Sequence, residues 1–143
     1  MKHLVTILLF TLWSLIVAGQ PGNDAHRRVR EEKIAFFNKK LELTKSERET
    51  FWPVYNDYQN RKNKINSEKR ALMQYYLQNA NYMSDKEISE TLNKYIDFEV
   101  QETELLTAYN EKFKEILPDS KVVKIYVAEV QFKDYLLKKL RKP

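Results

Sequence analysis

Asp97, Glu99, Glu102 and Glu104 put four carboxylates into eight consecutive positions. Glu99 and Glu102 are three apart, so on a helix they are neighbours on one face, and paired carboxylates can do acid–base work. The same spacing also has a structural use. Lys62 and Lys69 interrupt an apolar stripe elsewhere in the chain, and the two glutamates interrupt a second one. If the two stripes face each other, the gaps pair as cation and carboxylate, and this structural use is the one the spacing favours. His26 is the only histidine beyond the first twenty residues, and the chain has no cysteine. A Ser-His-Asp triad finds no support and a thiolate nucleophile is excluded. Zinc sites want several His or Cys, di-iron bundles want Glu-x-x-His pairs, and calcium loops want clustered Asp with a Gly turn. None of these patterns is present. Asp24 and His26, with a new amino terminus, make at best a weak metal-binding trio beside a flexible, solvated start. The expectation is a protein with no catalytic residues, no cofactor and no metal.

The elements that position these groups are helices. Gly19 and Gly22 are the only glycines. Tight hairpin turns and phosphate-cradling loops both want glycine, so a β-rich fold and a nucleotide-binding loop are disfavoured. A first helix is predicted from Asp24 to Leu41, with Val29, Ile34, Phe37 and Leu41 along one side and Leu41-Glu42-Leu43 as its connection onward. Thr44-Lys45-Ser46-Glu47 is a capping box. It opens a long helix to Gln78, in which Phe51, Tyr55, Tyr58, Ile65, Leu72 and Tyr76 follow steps of three and four. Pro53 inside it predicts a kink, or a helix starting afresh there. Asn79 to Met83 is a turn in which an Asn can take the left-handed conformation. Ser84-Asp85-Lys86-Glu87 is a second capping box, opening a third helix to Leu117. Its stripe is Ile88, Leu92, Tyr95, Leu106, Tyr109, Phe113 and Ile116. Pro118 stops it, and Asp119 or Ser120 can cap a last helix from Lys121 to Arg141. Val122, Ile125, Phe132, Leu136 and Leu140 share a face of that segment. Its valines would also suit a strand, but a lone strand has no partner here. The fold class is therefore all-α: four helices in an elongated helical hairpin with shorter helices at its ends.

The first nineteen residues differ from the rest. Lys2 and His3 precede an apolar run from Leu4 to Val17, and Val17-Ala18-Gly19 offers small residues before Gln20. This is the layout of a cleaved secretory signal peptide, too short to span a membrane. Residues 20–143 are then a single exported domain without a stable membrane anchor. No cysteine follows the apolar run, so a lipid anchor is not expected. The formal net charge is +5, with both signs dense and mixed. That suits a solvated helical surface rather than a nucleic-acid footprint, though it can attract acidic partners or an anionic membrane surface.

Nine Tyr, seven Phe and two Trp make the chain aromatic-rich. Core packing accounts for most of them. Tyr75 and Tyr76 are adjacent and cannot both face inward, so some rings stay exposed. Trp52, Tyr75 and Tyr82 are the candidate protein-binding surface, because mixed Lys and Tyr surfaces hold partially unfolded chains without fixed geometry.

Leu43-Thr44-Lys45-Ser46-Glu47 resembles the first Leu-Thr-x-x-Gln signature of the Spy/CpxP-like periplasmic family, with Glu in place of Gln. Phe51-Trp52-Pro53-Val54-Tyr55-Asn56-Asp57-Tyr58 is similar to its Bacteroidetes members, described as sensors linked to extracytoplasmic (ECF-type) sigma factors. The second signature would fall at Leu117-Pro118-Asp119-Ser120-Lys121, in degenerate form. The resemblance implies a four-helix, cradle-shaped subunit that forms a homodimer in the periplasm. It also implies the partners: unfolded or envelope proteins held without ATP, or one sensor kinase or anti-sigma factor. In the motif, Leu43, Thr44 and Glu47 take a structural, helix-capping role. The zinc-responsive branch of the family carries His- or Cys-rich tails, which this chain lacks.

Overall fold

The structure is a computed structural model, and it describes residues 21–141. The predicted leader and its cleavage site lie outside the described residues. Four α-helices follow one another: α1 Pro21–Lys40, α2 Lys45–Asn79, α3 Asp85–Ile116 and α4 Asp119–Leu140. A 3-10 turn, Ala80–Tyr82, joins α2 to α3. The described residues contain no strand, so the valine-rich last segment is helical as predicted.

Both capping boxes form. The Thr44 amide donates to the Glu47 carboxylate at 2.7 Å, and the Glu47 amide donates back to Thr44 Oγ1 at 3.2 Å. Ser84 and Glu87 repeat this at the head of α3, with 2.8 Å and 3.4 Å. Each box satisfies backbone donors that a helix start leaves without partners. α2 runs through Pro53 without ending there, so no new helix begins at the proline.

The connections depart from the sequence reading in two places. No Asn is left-handed: Asn79 has φ −118°, and the chain leaves α2 by tightening into the 3-10 turn. The left-handed residue is Glu42, at φ 51°. It closes α1 with a bond from the Leu43 amide to the Asn38 carbonyl at 3.2 Å. This is the six-to-one bond that usually recruits glycine at a helix end. At the head of α4 neither Asp119 nor Ser120 caps. Pro118 holds the cap position, and its carbonyl accepts from the Lys121 and Val122 amides. Asp119 instead lies in the first turn, where a carboxylate suits the helix dipole.

α2 and α3 pack antiparallel along their whole length. Each is about 50 Å long at 1.5 Å per residue. Their register is visible in successive pairs: Phe51 with Phe113, Tyr58 with Tyr109, Lys62 with Glu102, and Lys69 with Glu99. α1 and α4 lie side by side near the open end of this hairpin, with Phe36 against Phe132 and Tyr135. The core sits there, where all four helices meet. Phe37, Leu41, Phe51, Tyr55, Phe113 and Ile125 are fully buried, and Tyr109, Val122, Ala128 and Phe132 join them. The rings touch in tilted and edge-on pairs at 5–6 Å, as with Phe37 and Tyr55 at 5.2 Å, and each such pair adds about 0.5–1.5 kcal/mol beyond area burial.

Beyond Asn63 and Tyr109 the molecule is two helices thick. This explains where the predicted stripe of α3 shifts. Ile88, Leu92 and Leu106 are exposed rather than buried, and the buried positions of the distal half are Thr91 and Phe98. Thr91 tolerates burial because its hydroxyl donates to the Glu87 carbonyl at 2.8 Å. Val29 and Leu140, assigned to inward faces, are also exposed, because α1 and α4 extend past the core.

Candidate protein-binding surface

The signature segment is built into the core end. Leu43 is buried, and Thr44 and Glu47 form the cap already described. Glu47 does more than cap: Lys121 Nζ donates to it at 2.7 Å, and also to the Glu42 carbonyl at 2.8 Å. Lys121 closes the second signature-like segment, whose Leu117 is buried in the same cluster as Leu43. The two segments therefore send their leucines into one buried cluster and are joined outside it by a Lys–Glu pair. The Lys121 ammonium, followed by the Thr44 amide, holds the Glu47 carboxyl below the usual range.

A second polar junction was not foreseen. Glu129 of α4 accepts hydrogen bonds from Tyr55 Oη, from Gln59 Nε2 at 2.8 Å and from Lys33 Nζ at 3.3 Å. Lys33 also lies 5.0 Å above the Tyr55 ring. Burial, reinforced by the Glu129 charge, pushes the Tyr55 hydroxyl far up, so it stays protonated and donates. These groups come from α1, α2 and α4 and tie three helices together. No pattern local to Glu129 marks it, since its partners are seventy or more residues away.

Three of the four acids of the stretch on α3 have structural partners, Glu104 being the exception among the described residues. Lys69 Nζ lies 2.8 Å from Glu99 and 3.1 Å from Glu102, and Lys62 reaches Glu102 at 3.5 Å. Asp97 accepts from Gln101. These contacts fill the gaps in two facing stripes, as the spacing predicted. His26 is exposed within α1 rather than in a loose tail, and Asp24 pairs with Arg27 at 3.3 Å. Among the described residues no group of three or more His, Cys, Asp or Glu side chains is placed to hold a metal. Nor is any described helix long and apolar enough to cross a membrane.

The three aromatic candidates separate. Trp52 belongs to the core end: it packs on Phe37, Phe51 and Tyr55, and its indole N–H donates to Asn38 Oδ1 at 3.0 Å. Tyr75 and Tyr82 lie at the far tip, 52% and 89% exposed. Twenty-three residues of chain put Tyr75 roughly 35 Å along α2 from Trp52. Tyr75 lines a groove of about 650 Å³ between α2 and α3, with Leu72, Met83 and Phe98 below it and Glu68, Glu90 and Lys94 at its rim. A second hollow nearer the core is lined by Ile65 and Leu105 with Arg61, Lys64 and Glu104. On another face of the tip, Met73, Tyr76, Ile88, Leu92 and Tyr95 line a smaller apolar hollow. Phe98 is in phase with Tyr109 and Phe113 through Glu102 and Leu105, so following that register back from the core was the available signal for it. The tip thus offers apolar side chains interleaved with charges of both signs. No protein-family model, curated protein or solved structure matches this chain.

Proposed function

We propose that this protein is a periplasmic, ATP-independent chaperone or envelope-stress adaptor of the Spy/CpxP-like kind. On this reading the leader is removed before Gln20, and the subunit works as a homodimer whose helices form a cradle for unfolded or envelope proteins. The observation that supports it most is the uncovered distal half of the α2–α3 hairpin, where Tyr75 and Tyr82 stand exposed beside a groove with an apolar floor and a charged rim. A surface of this kind holds many partners weakly, because apolar contact and mixed charge demand no single geometry. The hairpin's stability is anchored elsewhere, at the core end, so the tip is free to bind. The reading needs neither nucleotide nor cofactor.

The test follows aggregation of a chemically denatured client by light scattering without ATP, with the chain from Gln20 onward added in increasing amounts. Suppression near stoichiometric amounts is the expected result. No suppression across several clients would overturn the chaperone reading. The alternative would then be an adaptor dedicated to one envelope sensor kinase or anti-sigma factor, to be sought by crosslinking in the periplasm.

A further inference from the structure

α4 is apolar on two opposite sides. Val122, Ile125, Ala128 and Phe132 face the core. On the other side Val123, Val127, Val130 and Leu137 fall within an arc of about 80° at 3.6 residues per turn. All four are exposed, Val130 at 64%, and only Asp134 interrupts them. A helix that is hydrophobic all round is normally covered on both sides. Within the described chain nothing covers this one.

The charges beside this face are of one dominant sign. Lys133, Lys138 and Arg141 are exposed and make no ion pair among the described residues, in contrast to Lys121 and Lys124 at the other end of α4. α1 runs antiparallel alongside, as Glu32 meets both Tyr135 and Lys139. That brings Arg28 near Lys139, close enough for the two charges to repel. The end of the molecule where α1 starts and α4 finishes is therefore basic as well as apolar.

We propose that the outer face of α4 docks on an anionic phospholipid bilayer, lying in the interface plane with its valines and Leu137 against the acyl boundary and its cations on the headgroups. The charge complementarity selects this occupant. The same face of a second copy offers these cations only Asp134 within its apolar arc from Val123 to Leu137, whereas anionic headgroups neutralise all three. Such binding is peripheral and reversible, and it scales with apolar area plus electrostatic attraction. Each Lys or Arg near an anionic surface is worth about fivefold in partitioning at moderate salt, and the effect weakens as salt rises. The surface is separate from the distal groove, so the inference stands whether or not the tip binds clients.

The test is flotation of the chain from Gln20 onward with vesicles of phosphatidylcholine containing a minor share of phosphatidylglycerol, against vesicles of phosphatidylcholine alone. Binding to the anionic vesicles only, reduced by salt, is expected. The triple variant V123Q/V130Q/L137Q and the double variant K133E/K138E should each weaken it by about tenfold or more. All five positions are solvent-exposed, and circular dichroism should show unchanged helicity and Tm for both variants. Absence of binding, equal binding to both vesicle types, or binding that survives both variants would overturn the proposal. A dimer in sedimentation velocity that V123Q/V130Q/L137Q dissociates, with vesicle binding absent, would overturn it too and assign the face to a second copy.

Discussion

Lys69 on α2 and Glu99 on α3 are bonded at 2.8 Å across the two-helix part of the hairpin, where apolar residues would otherwise meet. The Glu99 hydrogen bond raises the Lys69 ammonium above its ordinary range, although burial opposes it, and Lys69 lowers the Glu99 carboxyl. Removing one partner leaves two carboxylates, Glu99 and Glu102, as like-charged neighbours. Lys69→Met should therefore lower Tm by a few degrees. Replacing the cluster together, as K62L/K69L/E99L/E102L, should be neutral or stabilising, because desolvating ion pairs offsets much of their attraction. Thermal melts of the two variants separate these outcomes.

Stability should be graded along the hairpin. Phe113 is fully buried among rings of α2, whereas Leu72 is half-buried beneath an open groove. Phe113→Ala should cost about 3–5 kcal/mol in urea unfolding, by lost transfer energy and the cavity left behind. Leu72→Ala should cost about 1 kcal/mol. Amide exchange of the intact chain should run in the same order, fastest around the Ala80–Tyr82 turn and slowest around Tyr55 and Phe113.

Glu42 holds the one left-handed backbone among the described residues that are not glycine. That conformation costs an L-residue about 1–2 kcal/mol, partly balanced by the extra freedom glycine has when unfolded. Glu42→Gly should stabilise the chain by about 0.5–1 kcal/mol. The variant loses a pair to Lys124 at 3.4 Å, which is exposed and contributes little. Lys121 still finds the backbone carbonyl at this position. A lower Tm for Glu42→Gly would show that the side chain matters more than the backbone.

Acid should unfold the protein through carboxylates spread over its connections. Glu47 is lowered chiefly by Lys121, Asp57 by the Tyr109 hydroxyl, Glu87 by the Ser84 amide and Glu99 by Lys69. Each is more acidic folded than unfolded, so its contribution is complete above the ordinary carboxylate range and is lost as pH falls through the folded value. Stability should be flat near neutrality and drop between about pH 5 and pH 3. Lys69 and Lys139 are shifted upward, and their share is lost only in strong alkali. In Glu87→Gln the acid limb should be shallower, since one titrating group is gone.

What was legible in the sequence was local. Thr44 with Glu47, and Ser84 with Glu87, announce their helices because both partners of each box lie within four residues. The Lys62, Lys69, Glu99 and Glu102 cluster was legible because an apolar period makes charged exceptions conspicuous. Three features were hidden for physical reasons. Glu42 carries no side-chain mark of its backbone angle. Glu129 looks like any solvated glutamate until α1 and α2 bring Lys33, Tyr55 and Gln59 to it. Ile88 and Leu92 look like core, yet no third helix covers that half of α3, so hydrophobicity there does not report burial. Trp52 stands apart from the other two aromatic candidates, half-buried at the core end and bonded to Asn38, and its sequence neighbourhood does not mark that difference.

The same contrast between Trp52 and the tip gives the sharpest test of where clients bind. Tyr75→Ser and Tyr82→Ser remove exposed rings that make no hydrogen bond within the described chain through their hydroxyls, so both should leave Tm nearly unchanged. If the distal groove holds clients, the pair Y75S/Y82S should need several times more protein for half-maximal suppression of aggregation. Trp52→Phe should act the other way. It leaves Asn38 Oδ1 without its donor and thins the packing on Phe37, which should cost about 1–2 kcal/mol in urea unfolding. Its suppression at a temperature where it stays folded should match the parent. Loss of suppression in Trp52→Phe, after correction for folded fraction, with suppression retained in Y75S/Y82S, would move the binding surface from the tip to the core end.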